Sequence, residues 1–143
     1  MAKTGADKPT PRNVNVGDVL AEVVRGPITR ATLALFAGAS NDHTTMHIDS
    51  DYAKAIGLDD VFAQGMLSMA YLAQVLTQAF RQEQLRAWSV RFLAITPIHA
   101  TVYCSGEVIE LFEANGERCA RIRLGARTES GLATLGGWAV VAL

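Results

Sequence analysis

The chain has 143 residues, of which 50% are hydrophobic, and its formal net charge is −1. This length suits one domain with a sizeable core, and a near-neutral charge without a basic run excludes nucleic acid as the main partner. The sequence contains no run of about 18 apolar residues, so we predict no membrane-spanning helix.

The N-terminal segment, residues 1–13, is polar and lacks the apolar stretch of a signal peptide. We predict that it is a mobile tail and that residues 14–143 form a single domain. The two cysteines, Cys104 and Cys119, lie far apart in strand-like runs. This pattern favours reduced, packed thiols in a cytoplasmic protein over a disulfide.

The first predicted element is a lead-in strand over residues 14–25, interrupted by a turn at Gly17 and Asp18. Thr29 is a residue of the type that caps helices, and apolar residues at helical spacing follow it. We therefore predict a helix over residues 30–37 that ends at Gly38.

A polar segment, residues 39–49, follows this helix and is predicted to be a loop. Its two adjacent threonines disfavour a regular helix, and the serine, asparagine and aspartate before them prefer caps and turns. A short helix over residues 51–56 comes next, with Asp49 or Ser50 as its cap and Gly57 just after its end.

The longest predicted helix covers residues 65–81, and because its first half is apolar on nearly all sides we expect it to be buried. Four strand-like runs follow, and Asn115 with Gly116 marks a tight hairpin between the second and third. The runs cover residues 87–96, 101–114, 118–128 and 132–142. An α+β fold, with one antiparallel sheet wrapped around one long central helix, satisfies this order.

The strand-rich second half of the chain leaves a sheet with an unpaired edge. Edges of this kind are usually covered by pairing with another chain, and closed symmetric dimers are the commonest solution. We therefore predict a homodimer in which the sheets of two subunits join edge to edge. A heterodimer with a related chain is the alternative.

The strongest functional signal in the sequence is the pair Asp42 and His47, five residues apart in the predicted loop. A carboxylate and an imidazole held side by side can orient one water molecule and move its proton. Gly65, 23 residues after Asp42, opens the long apolar helix. A free backbone N–H at a helix start can hold a carbonyl oxygen that gains negative charge.

Two motifs carry a resemblance to the MaoC-like hydratases and dehydratases, the hotdog-fold family of (R)-specific enoyl-thioester hydratases. The family pattern reads Gly-Asp-x-Asn-Pro-x-His-x-Asp, followed further on by Ala-His-Gly-Met-Leu. Here residues 41–49 read Asn-Asp-His-Thr-Thr-Met-His-Ile-Asp, and residues 63–67 read Ala-Gln-Gly-Met-Leu. Two threonines thus stand where the family has Asn-Pro, and Gln64 stands where it has histidine.

The resemblance implies a hotdog fold and the reversible hydration of trans-2-enoyl thioesters, carried on coenzyme A or acyl carrier protein, to (R)-3-hydroxyacyl thioesters. Asp42 and His47 would be the acid–base pair, and the Gly65 N–H would hold the thioester carbonyl. Met46, Gln64 and Met66 are neighbours of these residues in the sequence and are predicted to contact the substrate. Methionine in particular adapts well to an acyl chain. No metal or redox cofactor is required.

Three other interpretations deserve comparison. A hotdog thioesterase commonly places its working carboxylate on the central helix, but residues 65–80 contain no Asp or Glu. A non-catalytic, acyl-binding subunit of a heterodimeric dehydratase would have lost the Asp42–His47 pair, which this chain keeps. A metal site at His43 and His47, spaced like ligands on one helix face, lacks a further ligand elsewhere in the sequence.

Overall fold

The computed structural model describes residues 13–143, so the predicted tail lies outside the described residues except for Asn13. Within this range the chain begins with strand β1 (Val23–Arg25) and helix α1 (Arg30–Ser40). Helices α2 (Ser50–Ala55) and α3 (Gly65–Ala79) follow, with a single 3-10 turn at Thr45–His47 between α1 and α2. After a second 3-10 turn come four longer strands: β2 (Leu85–Phe92), β3 (Val102–Ala114), β4 (Glu117–Thr128) and β5 (Ala133–Ala142).

The strands form one antiparallel sheet in the order β1-β3-β4-β5-β2. The hairpin between β3 and β4 turns at Asn115 and Gly116, whose φ angles of 52° and 76° lie in the left-handed region. Two left-handed residues in a two-residue loop match the right-handed twist of the strands, which is why Asn-Gly predicts this turn. The predicted hairpin and the α+β class are confirmed.

Helix α3 lies across one face of the sheet and supplies the centre of the core. Its buried side chains are Leu67, Ser68, Leu72, Val75 and Leu76. They pack with buried residues of the sheet and of the segments before α3, including Ile28, Leu33, Val61, Val102, Val108, Ile122, Leu135 and Val141.

The prediction that α3 is buried on nearly all sides is wrong for one of its faces. Met66 is 55% exposed and Ala70 is also exposed, although both residues are apolar. The reason is geometric, because a single sheet covers only one side of a helix. The apolar composition of the outer side therefore calls for a cover that one chain does not provide.

Two predicted boundaries in the first half also differ from the structure. Helix α1 passes through Gly38 to Ser40, and Asn41 takes the left-handed position after it with φ 59°. A glycine inside a helix costs only about 1 kcal/mol, and asparagine tolerates the left-handed conformation, so the helix ends later than predicted. The predicted lead-in strand shrinks to β1, preceded by a turn over residues 15–18.

The predicted helix caps are confirmed. The Thr29 side chain accepts from the backbone N–H of Thr32 and the Thr32 hydroxyl accepts from the N–H of Thr29, which is a capping box. At α2 the Asp49 carboxylate accepts from two backbone N–H groups, and Gly57 follows the helix with φ 92°. The Asp49 cap ends the loop that carries Asp42 and His47, whereas the Thr29 cap begins the helix before it.

Both cysteines are free and buried, and burial raises the pKa of the Cys104 thiol to about 11. Both are packed thiols, and the raised pKa makes Cys104 a poor nucleophile. In the part of the chain that the structure describes, no helix is both long and apolar enough to cross a membrane.

Candidate active site

Asp42 lies just after α1 in a tight polar turn. Its backbone N–H donates to the Ser40 hydroxyl (3.3 Å), which in turn donates to the Phe36 carbonyl (2.7 Å). Its carboxylate oxygen Oδ1 accepts from the Thr44 hydroxyl (2.7 Å) and from the Thr44 backbone N–H (3.2 Å). The carboxylate is thus held on the end of α1 by short-range bonds while it remains partly exposed.

The pKa of the Asp42 carboxyl lies below its usual range. The main cause is the hydrogen bond from the Thr44 hydroxyl, and the Thr44 N–H adds to it, since both donors favour the charged form. Desolvation opposes this shift, whereas the nearby His47 and His43 contribute weaker electrostatic lowering. The carboxylate is therefore ionised at neutral pH and close enough to His47 to interact with it.

His47 is nearly buried, with 8% of its surface exposed. Its Nδ1 lies 2.7 Å from the carbonyl oxygen of Phe62, and its ring meets the Phe62 ring edge-on at 4.6 Å. A carbonyl oxygen only accepts, so Nδ1 carries a hydrogen and Nε2 is the nitrogen left for proton transfer. The contact with Phe62 therefore fixes both the tautomer and the orientation of the imidazole.

Gly65 is the first residue of α3, and its backbone N–H has no acceptor among residues 13–143. The residues just before it form a strap, defined here as residues 62–64. The strap is bound to the chain before β3 by the bridge between Phe62 and Pro97 and by the bond from the Ala63 N–H to the Thr96 carbonyl (3.0 Å). A free N–H at a rigid helix start can stabilise negative charge.

An apolar cleft of about 260 Å³ opens beside Gly65. Its walls come from the strap, the first turn of α3, the end of β2 with the chain that follows it, and β5: Phe62, Ala63, Gly65, Ser68, Phe92, Leu93, Ala94, Ile95, Thr96 and Leu135. Hydrophobic side chains dominate this lining, which suits an alkyl chain more than a charged group. His47 is bonded to one residue of the lining, Phe62.

The three predicted substrate contacts occupy different environments. Met66 is 55% exposed on the outer face of α3, and Met46 is half-buried beside His47 in the sequence. Gln64 has no exposed surface, and its side-chain Nε2 donates to the Leu33 carbonyl in α1 (3.1 Å). None of the three is among the residues that line the cleft in this single chain, so their contact with substrate stays a prediction.

Several residues of the site were not predicted from the sequence. Phe62, which holds His47, and Phe92, whose ring covers Gly65, carry no local signal of such roles. Ser68 is the exception, because a serine is unusual in the mainly apolar first half of this helix. Its hydroxyl is buried and lies 3.1 Å from the Thr96 hydroxyl in the cleft wall.

The structure thus provides an ionised carboxylate near the His47 imidazole, a bond from that imidazole to the strap, and an unpaired backbone N–H at Gly65, which lines the apolar cleft. Such groups can move a proton next to a polarised carbonyl without a metal ion. No three metal-ligating side chains come together within residues 13–143.

A family model described as a MaoC like domain matches residues 12–129 of the chain. A comparison with curated protein sequences gave no match.

Several solved structures share the architecture. The R-hydratase PhaJ1 from Pseudomonas aeruginosa matches over 90% of this chain and 82% of its own, with a TM-score of 0.79 and 24% identity. The (R)-hydratase from A. caviae involved in PHA biosynthesis matches over 92% and 98%, with a TM-score of 0.79 and 23% identity. A chain of the ChsH1-ChsH2 complex from Mycobacterium tuberculosis matches over 92% and 99%, with a TM-score of 0.78 and 20% identity. These likenesses confirm the predicted hotdog fold.

Proposed function

The chain belongs to the MaoC-like domain family, whose model spans most of its length, and we propose on that premise that it hydrates trans-2-enoyl thioesters reversibly to (R)-3-hydroxyacyl thioesters. The acyl group is carried on coenzyme A or acyl carrier protein. The names of two similar structures, both (R)-hydratases, support this reaction. Two buried thiols without a disulfide suit a cytoplasmic location.

One juxtaposition supports the proposal more than any other. His47 is bonded to Phe62, and Phe62 and Gly65 line the same apolar cleft. The His47 ring is therefore bonded to the first residue of the strap, three residues before the free N–H of Gly65. A thioester whose alkyl chain occupies the cleft can present its carbonyl and its C2–C3 bond to both groups.

The proposed mechanism divides the work between the two kinds of group. The Gly65 N–H donates a hydrogen bond to the thioester oxygen and stabilises its growing negative charge, which makes C3 electrophilic. Asp42 and His47 hold one water molecule between them. As its oxygen adds to C3, one of the pair takes a proton, and a proton is then returned to C2. Either group can take the first proton.

The reaction is tested by incubating the protein with trans-2-enoyl-CoA substrates of increasing chain length. Chiral chromatography of the products is expected to give the (R)-3-hydroxyacyl thioester, with the best turnover for chains that fit the cleft. Formation of the (S) product alone would contradict the stereochemical part of the proposal.

Two other functions receive less support from the same residues. A thioesterase of this fold commonly uses a carboxylate on the central helix, and α3 carries neither Asp nor Glu. A non-catalytic subunit has no need for an ionised Asp42 beside His47, whereas this chain has both.

Thr44→Val is expected to move the acid limb of the pH–activity profile to higher pH. The Thr44 hydroxyl is the main cause of the lowered pKa of Asp42, so its loss raises that pKa and the carboxylate begins to protonate at higher pH. Turnover near neutral pH should change little, because Asp42 is still ionised there. The profile of kcat/KM against pH measures this shift.

Thr45→Val is the matched control for Thr44→Val. Thr45 is also an exposed threonine of the same loop, but its hydroxyl makes no bond to Asp42. Superimposable profiles for all three proteins would mean that the ionisation of Asp42 does not limit the reaction in acid.

We further propose a dimer that covers the edge of the sheet at β2. Strand β2 has a partner on one side only, β5. Exposed apolar side chains cluster at its end and on the neighbouring helix: Phe92 (55%), Leu93 (57%), Ile95 (48%) and Met66 (55%). A second subunit on this edge would bury them and would also close the cleft. A heterodimer with a related chain is the alternative, and it is supported by the similarity to a chain of the ChsH1-ChsH2 complex.

Light scattering is expected to give the mass of a homodimer at micromolar concentration, and Leu93→Lys is expected to shift the protein towards the monomer. Val19→Lys is the control, because Val19 is 75% exposed but pairs with Glu107 at the other side of the sheet. A stable monomer of the unaltered protein would contradict the dimer.

A further inference from the structure

Gln64 is an unusual residue because its side chain is fully buried and only one of its two polar atoms forms a hydrogen bond. It has no exposed surface, and its Nε2 donates to the Leu33 carbonyl in the first half of α1 (3.1 Å). Its Oε1 is buried and has no hydrogen-bond partner among the described residues. The reverse orientation of the amide would set Oε1 against the Leu33 carbonyl oxygen, and two acceptors repel.

A buried polar atom without a partner destabilises a folded protein, and an apolar side chain of the same length would avoid that penalty. A contribution to the stability of the fold therefore does not explain why an amide stands at position 64. Buried groups of this kind in native structures call for an explanation, and functional sites are where such local conflicts are expected.

The place of Gln64 supplies that explanation. It is the last residue of the strap and directly precedes Gly65, whose N–H is free. The helix it binds, α1, ends one residue before Asn41, and Asp42 is attached to that end through Ser40. The Gln64–Leu33 bond thus joins the element that carries Asp42 to the element that carries the Gly65 N–H.

A second bond joins the same two halves of the site. The His47 ring donates to Phe62 at the other end of the strap. The strap is therefore held at one end by His47, in the loop between α1 and α2, and at the other end by α1. With both bonds in place, the distance between the proton-transfer pair and the Gly65 N–H is determined by rigid elements.

We propose that Gln64 is a positioning residue, which sets the Gly65 N–H relative to Asp42 and His47 by tying the start of α3 to α1. This inference rests on the proposed hydration. It also gives Gln64 a role other than direct contact with substrate. Misplacement of a reacting group by about 1 Å can reduce turnover by about 10²-fold, so a single tie of this kind can matter.

The test is Gln64→Met, which keeps the length of the side chain and removes both the donor and the unpaired oxygen. The expected kcat on crotonyl-CoA, or on the best enoyl-CoA substrate, is about 10 to 100-fold lower. KM should change little, because the apolar cleft that holds the acyl chain is intact and the loss falls on the transition state.

The melting temperature of Gln64→Met should stay the same or rise, since a buried unpaired oxygen is gone. The acid limb of the pH profile should not move, because Asp42 and Thr44 are unchanged.

Gln84→Met is a matched control within the same chain. Gln84 is also buried (8% exposed), and its Nε2 donates to the Ala142 carbonyl (2.8 Å). Its Oε1 is satisfied by the Arg81 N–H (3.0 Å), and it lies beyond the far end of α3. Gln84→Met should therefore lower the melting temperature with kcat unchanged, the opposite of the result expected for Gln64→Met.

Gln64→His is the rescue variant, because an imidazole can also donate an N–H from this position. It is expected to recover most of the kcat that Gln64→Met loses. If the unaltered protein hydrates enoyl-CoA and Gln64→Met has a normal kcat, the positioning role is wrong but the proposed function stands.

The positioning role is also wrong if Gln64→Met lowers both kcat and the melting temperature and Gln64→His does not restore kcat, since that pattern indicates a general loss of stability of the fold. Failure of the unaltered protein to hydrate any enoyl-CoA would instead overturn the proposed function, and this inference with it.

Discussion

Asp42→Asn and His47→Gln are each expected to reduce the turnover of enoyl thioesters by about 10² to 10⁴-fold, the usual contribution of a general acid or base. Both changes retain the local structure. An asparagine oxygen can still accept from Thr44, and a glutamine amide can still donate to the Phe62 carbonyl, as His47 does. Neither new side chain can move a proton, so the loss should fall on kcat.

Initial rates of hydration measure the loss, and circular dichroism with thermal melting establishes that the variants are folded. His43→Gln is the control, because His43 is an exposed histidine of the same loop and acts on Asp42 only through its charge. That variant should retain nearly full turnover. If Asp42→Asn and His47→Gln matched it, the acid–base assignment would be wrong.

Gly65→Pro is expected to reduce kcat by about 10² to 10³-fold, the cost of one missing donor to a developing oxyanion. The variant should fold. Gly65 is the first helical residue, where proline is tolerated because the N–H has no helical partner. Gln64 has φ −55° and ψ 135°, an extended conformation that a following proline accepts.

Gly65→Ala separates the loss of the N–H from the effect of added bulk. A Cβ at this position would lie 2.9 Å from the Phe92 ring, so both variants push that ring aside, but alanine keeps the N–H. The shift of the Phe92 ring is required by both variants, so its cost is common to them. We expect Gly65→Ala to be much faster than Gly65→Pro. Equal rates for the two variants would mean that the thioester carbonyl is held by another group.

Local features of this fold were predictable because local residues determine them. The Asn115–Gly116 turn needs two left-handed residues, and the Thr29 and Asp49 caps need a side-chain oxygen before a helix. The loop around Asp42 followed from its turn-forming residues. Where two local signals competed, as at Gly38 and Asn41, the sequence did not decide between them, and the helix used the later one.

Features that depend on packing between distant segments were not predictable. Nothing near His47 indicates that its ring binds the Phe62 carbonyl 15 residues later, or that Phe92 covers Gly65. The burial of Gln64 against Leu33 is likewise a contact across 31 residues of sequence. The sequence therefore allows the residues of a candidate site to be proposed, whereas the bonds that hold them in place are properties of the folded chain.

The most direct test of the proposed function is the ultraviolet absorbance of crotonyl-CoA incubated with the protein, followed together with a thiol reagent. Hydration removes the conjugated C2–C3 double bond, so we predict that the enoyl band disappears while no free thiol is released. Release of thiol would identify a thioesterase. An unchanged spectrum with this substrate and with longer enoyl-CoA chains would contradict the assignment of a hydratase.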